Sequence, residues 1–293
     1  MTSPEGAFIA ALRSLATTPG ARGLADDCAL LDIGGETLVL THDMMVEGVH
    51  WLPDQDAADV AWKLVATNLS DLAAKGAEPV GVLLGYSLGV DDAGFVRGLR
   101  EVLHAFGVPL LGGDTVSSPA AQAHGLTAIG RATHRPVPSR SGARAGDSVW
   151  ITGPVGGAML GFEALRDGTG AIETLAFRRP SPRLAEGRAL APQVTAMMDV
   201  SDGLLLDSAR MARASRVTLA LESAAVPYAE SLPESRRNAA MRWGDDYELL
   251  FTLPPGETPQ CSAYRIGAVV EAGPAPVLLD GAQQHGPLGY EHG

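Results

Sequence analysis

Residues 57–88 read AADVAWKLVATNLSDLAAKGAEPVGVLLGYSL, a predicted helix followed by a predicted strand. Val60, Leu64, Leu69 and Leu72 recur at helical spacing over 57–74, while Pro79–Leu88 is a nearly unbroken apolar run of strand length. One residue is out of keeping. Asp71 lies inside the helical stretch between Leu69, Leu72 and Ala73, and aspartate is a poor helix former. Either it faces solvent, or a cation meets it.

The same alternation extends outward in both directions. Upstream, 5–16 predicts an amphipathic helix with Phe8, Ile9, Leu12 and Leu15 on one face and Ser3 as its cap. Cys28–Ile33 and Thr37–Leu40 predict a hairpin across Gly34-Gly35. Downstream come a helix over 92–106, a short strand Pro109–Leu111 ending in a Gly-Gly-Asp turn, and a strand Leu126–Ile129. Residues 132–147 are polar and rich in Pro, Gly and Arg, as at a domain junction. The pattern then restarts with strand Ser148–Thr152 and helices near 158–166 and 183–190. Strand Thr195–Met198, helix 203–214 and strands Val217–Leu221, Glu248–Leu253 and Ile266–Val270 follow. This predicts an α/β chain of two domains, 1–136 and 137–293.

Composition narrows the function. Of 293 residues 46% are hydrophobic, enough to fill a core, and the net charge is -12 with only Lys63 and Lys75 as lysines. Such an acidic chain is a poor partner for nucleic acid, whose non-specific affinity comes from basic patches. Cys28 and Cys261 stand far apart, so buried free thiols are expected, not a zinc site or a disulfide framework. No basic leader and no membrane-length apolar run is visible, and a cytoplasmic enzyme is expected.

Five short aspartate motifs carry the chemistry: Asp26-Asp27, Thr41-His42-Asp43, Asn68-Leu69-Ser70-Asp71, Gly112-Gly113-Asp114-Thr115 and Asp199-Val200-Ser201-Asp202-Gly203. Carboxylates at the edges of apolar runs are costly unless a cation meets them. Mg²⁺ prefers such oxygens and brings substrate phosphates with it. Taken singly, Asp43 and Asp114, ending their strands, also fit turn or N-cap aspartates, Asp202 a plain helix N-cap and Asp71 a surface helix position. Together they point to phosphoryl transfer. A Walker lysine loop, the protein-kinase elements and a G-x-S-x-G elbow are absent, and Gly153-Pro154-Val155-Gly156-Gly157-Ala158 is at most a weak dinucleotide loop. His104, His124 and His134 read as surface or core residues.

These motifs resemble the thiamine-monophosphate kinase family of the PurM-like (aminoimidazole-ribonucleotide-synthetase-related) superfamily. The resemblance runs nearly end to end. It includes Asp26-Asp27-Cys28-Ala29-Leu30-Leu31, Val46-Glu47-Gly48-Val49-His50-Trp51, Ser139-Arg140-Ser141-Gly142-Ala143, Gly244-Asp245-Asp246-Tyr247-Glu248-Leu249 and the tail Gly289-Tyr290-Glu291-His292. The resemblance implies a two-domain PurM-like fold, an N-terminal α/β dimerisation domain and a C-terminal α/β sandwich. It further implies transfer of the γ-phosphoryl of ATP to thiamine monophosphate, several Mg²⁺ ions, and a homodimer. By position it places Asp27, Thr41, His42, Asp43, Asp71, Asp114, Asp199 and Asp202 at the metals. Gly113, Asp114, Arg140 and Ser201 fall at ATP, and His50, Asp245 and Tyr290 at thiamine phosphate. Asp43, Asp71, Asp114 and Asp202 would serve catalysis through their metals, with Asp26 a bystander.

Three residues depart from the family pattern. His42 stands for the usual threonine; an imidazole ligand would favour a softer metal such as Mn²⁺, whereas a backbone carbonyl contact would change little. Asp245 stands for the usual glutamate and reaches one methylene less. Lys75 replaces a common methionine and reads as a neutral change at a helix end. Two alternatives stay open: another ATP-dependent enzyme of the same superfamily, or a binding protein without turnover.

Overall fold

The chain folds around two β-sheets with one long helix held between them. The computed structural model describes residues 4–118, 120–169 and 174–291. Ser3 and His292, read above as a helix cap and part of the tail motif, lie outside the described residues.

The first sheet has the order β1-β2-β5-β3-β4. Its strands are β1 (Ala29–Ile33), β2 (Glu36–Val46), β3 (Ala77–Leu88), β4 (Leu110–Ser117) and β5 (Ala123–Ala132). The hairpin of β1 and β2 pairs Ile33 with Glu36 across the two glycines, as the Gly-Gly turn predicts. Two expectations need correction here. Strand β2 runs through Thr41-His42-Asp43, and β4 runs through Gly112-Gly113-Asp114. Asp43 and Asp114 are therefore interior strand residues, not strand-end turn residues. The ladder supplies the reason: His42 and Asp43 pair with Thr127 and Leu126 of β5, and Asp114 pairs with Gly85 of β3. Gly113 passes so close to β3 that a β-carbon would sit 1.9 Å from the Leu84 carbonyl oxygen.

Helix α1 (Pro4–Leu12) is shorter than predicted and buries no residue. Phe8 and Leu15 are exposed, so its apolar residues do not form a core face. Helix α2 (Ala57–Ala74) is the predicted one, capped by the Asp56 carboxylate accepting from Ala58 N–H. It packs between the sheets. Leu64, Leu69 and Leu72 join Val39, Val82 and Leu126 of the first sheet and Met197, Leu249 and Phe251 of the second in one cluster. Helix α3 (Asp92–Phe106) flanks α2 and ends at Gly107.

The second sheet has the order β12-β11-β8-β10-β6-β9-β7. Its strands include β6 (Ser148–Ile151), β8 (Thr218–Leu221), β9 (Leu249–Leu253) and β10 (Tyr264–Val270), with β7 (Ala196–Asp199) at one edge. β11 (Val277–Leu279) and β12 (Ala282–Gln283) extend the other edge. Helices α4 (Gly157–Arg166), α5 (Leu175–Arg178), α6 (Leu184–Leu190), α7 (Leu204–Ser215) and α8 (Arg237–Trp243) accompany it. Ile151, Met198, Leu205, Leu219 and Ile266 form its own core. The two cysteines are free, Cys28 buried and Cys261 only half-buried, a partial departure from the expected pair of buried thiols.

Candidate functional site

The buried helix sets out the site. Lys63, Thr67, Asp71 and Lys75 follow α2 at four-residue steps, so they lie along one slowly drifting stripe. Thr67 and Asp71 of that stripe line a cleft of about 910 Å³ between the two sheets, and Lys63 and Lys75 are buried on either side of them.

At one end the cleft is acidic. Asp27, Asp71 and Asp199 each bring an oxygen within 4.8 Å of the others, from a loop, a helix and a strand far apart in sequence. Asp43 lines the same space, its backbone N–H held 3.1 Å from Asn68 Oδ1 of α2. Thr41 Oγ1 donates to the Asp71 carboxylate, and Ser70 Oγ donates to Asp199 Oδ2 at 2.7 Å. Arg140 reaches in from the inter-sheet linker, its Nε 2.7 Å from Asp27 Oδ1.

The electrostatics of this end are unfavourable without a ligand. Burial, reinforced by neighbouring carboxylates, pushes Asp199 up to about 8 and Asp43 to about 6. Asp71 is raised well above the ordinary carboxylate range by burial first and then by Asp43, Asp199 and Asp27. Asp27 Oδ2 is buried and receives no hydrogen bond, although Lys75 Nζ lies 2.5 Å away as an ion-pair partner. Converging hard oxygens, one of them without a hydrogen bond, fit Mg²⁺.

The Asp199–Gly203 turn closes this end. Ser201 and Asp202 line the cleft, and their N–H groups donate to Asp207 Oδ2 at 3.1 and 2.9 Å. Gly203, not Asp202, is the residue before α7. Asp202 does not cap the helix; its carboxylate pairs with Arg210 at 2.5 Å. Gly244, with φ +95°, lies so close that a β-carbon would be 2.4 Å from the Ser201 carbonyl oxygen, so the Gly-Asp-Asp turn is locked against the Ser-Asp turn.

The other end is aromatic. His50, Asp245, Tyr247 and Tyr290 line it with Phe162, Phe177 and Trp243. His50 sits in a turn after β2, its Nδ1 accepting from Val46 N–H at 3.0 Å. Tyr290 N–H donates to the Asp202 carbonyl at 2.9 Å, bringing the tail to both ends of the cleft. Asp245 Oδ2 pairs with Lys63 at 2.8 Å, and Oδ1 accepts from Tyr247 O–H at 2.8 Å. Lys63 Nζ also stands 3.8 Å from the centre of the Phe177 ring.

Three residues that the sequence reading placed at metal or nucleotide are not brought together with the rest. His42, Gly113 and Asp114 do not line the cleft. The His42 ring is exposed, turned to the opposite sheet face, and bonded through Nδ1 to Thr127 Oγ1 at 2.9 Å. A softer metal held by that imidazole in this cleft is therefore not supported, because the ring points away from Asp43. Asp114 is exposed and accepts from its neighbour's Thr115 N–H at 2.9 Å.

Two residues were undervalued. Lys75 is not a neutral change: it is wholly buried and paired at 2.5 Å with both Asp26 and Asp27. Asp26 is not a bystander either, since Arg22 Nη1 at 2.5 Å and Ser139 Oγ at 2.6 Å also donate to it. The rarity of lysine, two in the whole chain, was the available signal. Tyr247, Asp207 and the three-aromatic wall were missed because nothing local distinguishes them from core residues.

The chain matches two family models: AIR synthase related protein, N-terminal domain, over residues 25–132, and its C-terminal domain over 144–280. It is 38% identical over 252 residues to the thiamine-monophosphate kinase of Escherichia coli K12, covering 79% of this chain and 76% of that protein. The enzyme of Caulobacter vibrioides is 39% identical over 269 residues, covering 85% and 75%. Among solved structures, AaThiL complexed with AMPPCP and TMP superposes with a TM-score of 0.87 at 27% identity, covering 97% of this chain and 95% of that one. Thiamine-monophosphate kinase from Stenotrophomonas maltophilia gives 0.78 at 31% identity, covering 95% and 96%.

Proposed function

The chain belongs to the thiamine-monophosphate kinases, and from that premise we infer that its inter-sheet cleft holds ATP and thiamine monophosphate end to end. The reaction is transfer of the γ-phosphoryl of ATP to thiamine monophosphate, with thiamine diphosphate and ADP as products. The carrying observation is the polarity of the cleft: a carboxylate cluster at one end, an aromatic wall at the other.

The acceptor is a phosphate monoester already bearing about -1.5 to -2 charges near neutral pH. It needs no general base. The barrier is repulsion between polyanions, so the residues act by positioning and charge. Asp27, Asp43, Asp71 and Asp199, with Asp202 at the margin and Thr41 through its oxygen, would hold several Mg²⁺ ions. Bound there, Mg²⁺ neutralises charge on the phosphates as it develops. Arg140 supplies a fixed guanidinium beside Asp27, and Ser201 a hydroxyl to the nucleotide. His50 and Tyr290 orient the thiamine moiety, with Asp245 kept in place by Lys63 and Tyr247.

A homodimer is part of the same proposal. Met44, Leu83, Leu111 and Val116 are all exposed on the first sheet, on its face away from α2. They form an apolar surface of the kind that marks an interaction site. His42 and Asp114 stand on that face too, so any role for them at metal or nucleotide requires a site completed by a second copy. We place the domain boundary at 136/137, within the segment between β5 and β6. A cytoplasmic location accords with use of ATP. Among the described residues no helix is long and apolar enough to cross a membrane.

The test is incubation of purified protein with ATP, Mg²⁺ and thiamine monophosphate, with thiamine diphosphate followed by chromatography. Product that depends on all three is expected. Binding of both ligands without product would favour the non-catalytic alternative, and no binding would reject the reading.

A further inference from the structure

Lys75 lies at the junction of everything that surrounds the carboxylate cluster. It follows directly on α2, and its side chain is 0% exposed. Nζ is 2.5 Å from Asp26 Oδ1 and 2.5 Å from Asp27 Oδ2, and it donates to the Met197 carbonyl of β7 at 3.3 Å. Asp26 has other partners in Arg22, Ser139 and the Asp27 N–H. Asp27 Oδ2 is buried and, among the described residues, has no assigned hydrogen bond; what faces it is the Lys75 ammonium at 2.5 Å. That oxygen belongs to the same carboxylate that converges with Asp71 and Asp199. An ammonium is a compact point charge, and a divalent ion needs carboxylate oxygens of this kind.

We propose that Lys75 is a built-in cation of the metal site: its ammonium occupies the inner side of Asp27, takes the place of one divalent ion there, and lets the cluster fold before metal arrives. This rests on the reading of the cluster as a metal site. Asp27 then turns its inner oxygen to the lysine and its outer one to Arg140, and the remaining metal positions lie toward Asp43, Asp71 and Asp199.

The experiment counts ions and does not depend on turnover. Mn²⁺ bound per chain is measured by equilibrium dialysis and electron paramagnetic resonance for the wild type and Lys75→Met, and Tm is recorded with EDTA and with Mn²⁺. The variant is expected to bind one more ion per chain than the wild type. Its Tm should rise more on adding Mn²⁺, because an ion bound only by the folded state stabilises it. A double variant, Lys75→Met with Asp26→Asn, removes one charge of each sign and should show the same extra ion. A variant that folds only when Mn²⁺ is supplied also supports the proposal. An unchanged ion count in a folded variant overturns it, as does a pair of variants unfolded with and without Mn²⁺, since Lys75 is then a structural staple. Should the wild type bind no Mn²⁺ at all, it is the metal-site reading itself that fails.

Discussion

The two faces of the first sheet teach more together than either does alone. The face against α2 carries Thr41 and Asp43, meets Asp71, and is buried beneath the second sheet. The opposite face carries His42, Met44, Leu83 and Asp114 and is exposed. Thr41, His42 and Asp43 are consecutive, yet a strand points successive side chains to opposite sides, so one motif serves two surfaces. Carboxylates on the inner face are desolvated and crowded by like charge, which makes them ion-seeking. Apolar side chains on the outer face are exposed among the described residues, which is the basis of the proposed dimer surface.

The largest effect expected is on the inner side. Asp71→Asn should lower turnover on the order of a hundredfold or more, as loss of a preorganised charge-stabilising group does, with Tm in EDTA held or raised because a strained buried acid is gone. A steady-state assay with a thermal melt checks both, and a wild-type rate would place Asp71 outside the chemistry.

Next comes the outer face. Leu83→Glu puts a charge on the exposed apolar surface and, on the proposal of a homodimer through that face, should convert it to a monomer with its fold intact, read by sedimentation velocity and circular dichroism. If turnover is lost together with the dimer, the outer face contributes to the site, and Asp114→Asn in the dimer then tests that residue. If the monomer is fully active, the outer face has no part in the site.

A third measurement titrates the inner face. Asp199 and Asp43 have folded values of about 8 and about 6 against an ordinary 3.8. The folded state therefore holds protons that the unfolded state has released, and metal-free stability falls as pH rises from about 4 to about 8. Mg²⁺ favours the ionised forms, so the Tm gained from Mg²⁺ should grow over the same window. A metal-free Tm that climbs from pH 5 to 8 would contradict the burial argument. Asp26, held low by Lys75 and Arg22 despite its burial, contributes in the opposite sense only at more acid pH.

The smallest effect belongs to His42→Thr. Its ring bonds Thr127 on the outer face, so the Mg²⁺ concentration for half-maximal rate should shift less than about twofold, the scale of an ordinary surface change. A larger shift would carry the outer face into the metal site.

Much of this molecule was legible in one dimension. Helix α2 and strands β1, β3, β6, β7 and β9 follow from period and turn chemistry, which are local. The aspartates stood out because a carboxylate beside an apolar run needs a reason. Helix α1 misled because its apolar residues share a helical face and still bury nothing; periodicity reports a face, not what covers it. Lys75 misled in the opposite direction. A lysine after the last helical residue is a routine C-terminal cation, and only the return of the Asp26-Asp27 loop and β7 from elsewhere in the chain encloses it.

The sequence by itself determined the two-part α/β order, the oxygen-rich chemistry and the kinship, because these depend on residue type and spacing along the chain. The tertiary structure alone decided which aspartates share an ion, which side of the sheet each motif residue serves, and that both lysines are inside. Those outcomes depend on distances between segments from about thirty to more than a hundred residues apart, and on a dielectric that exists only once the segments have met.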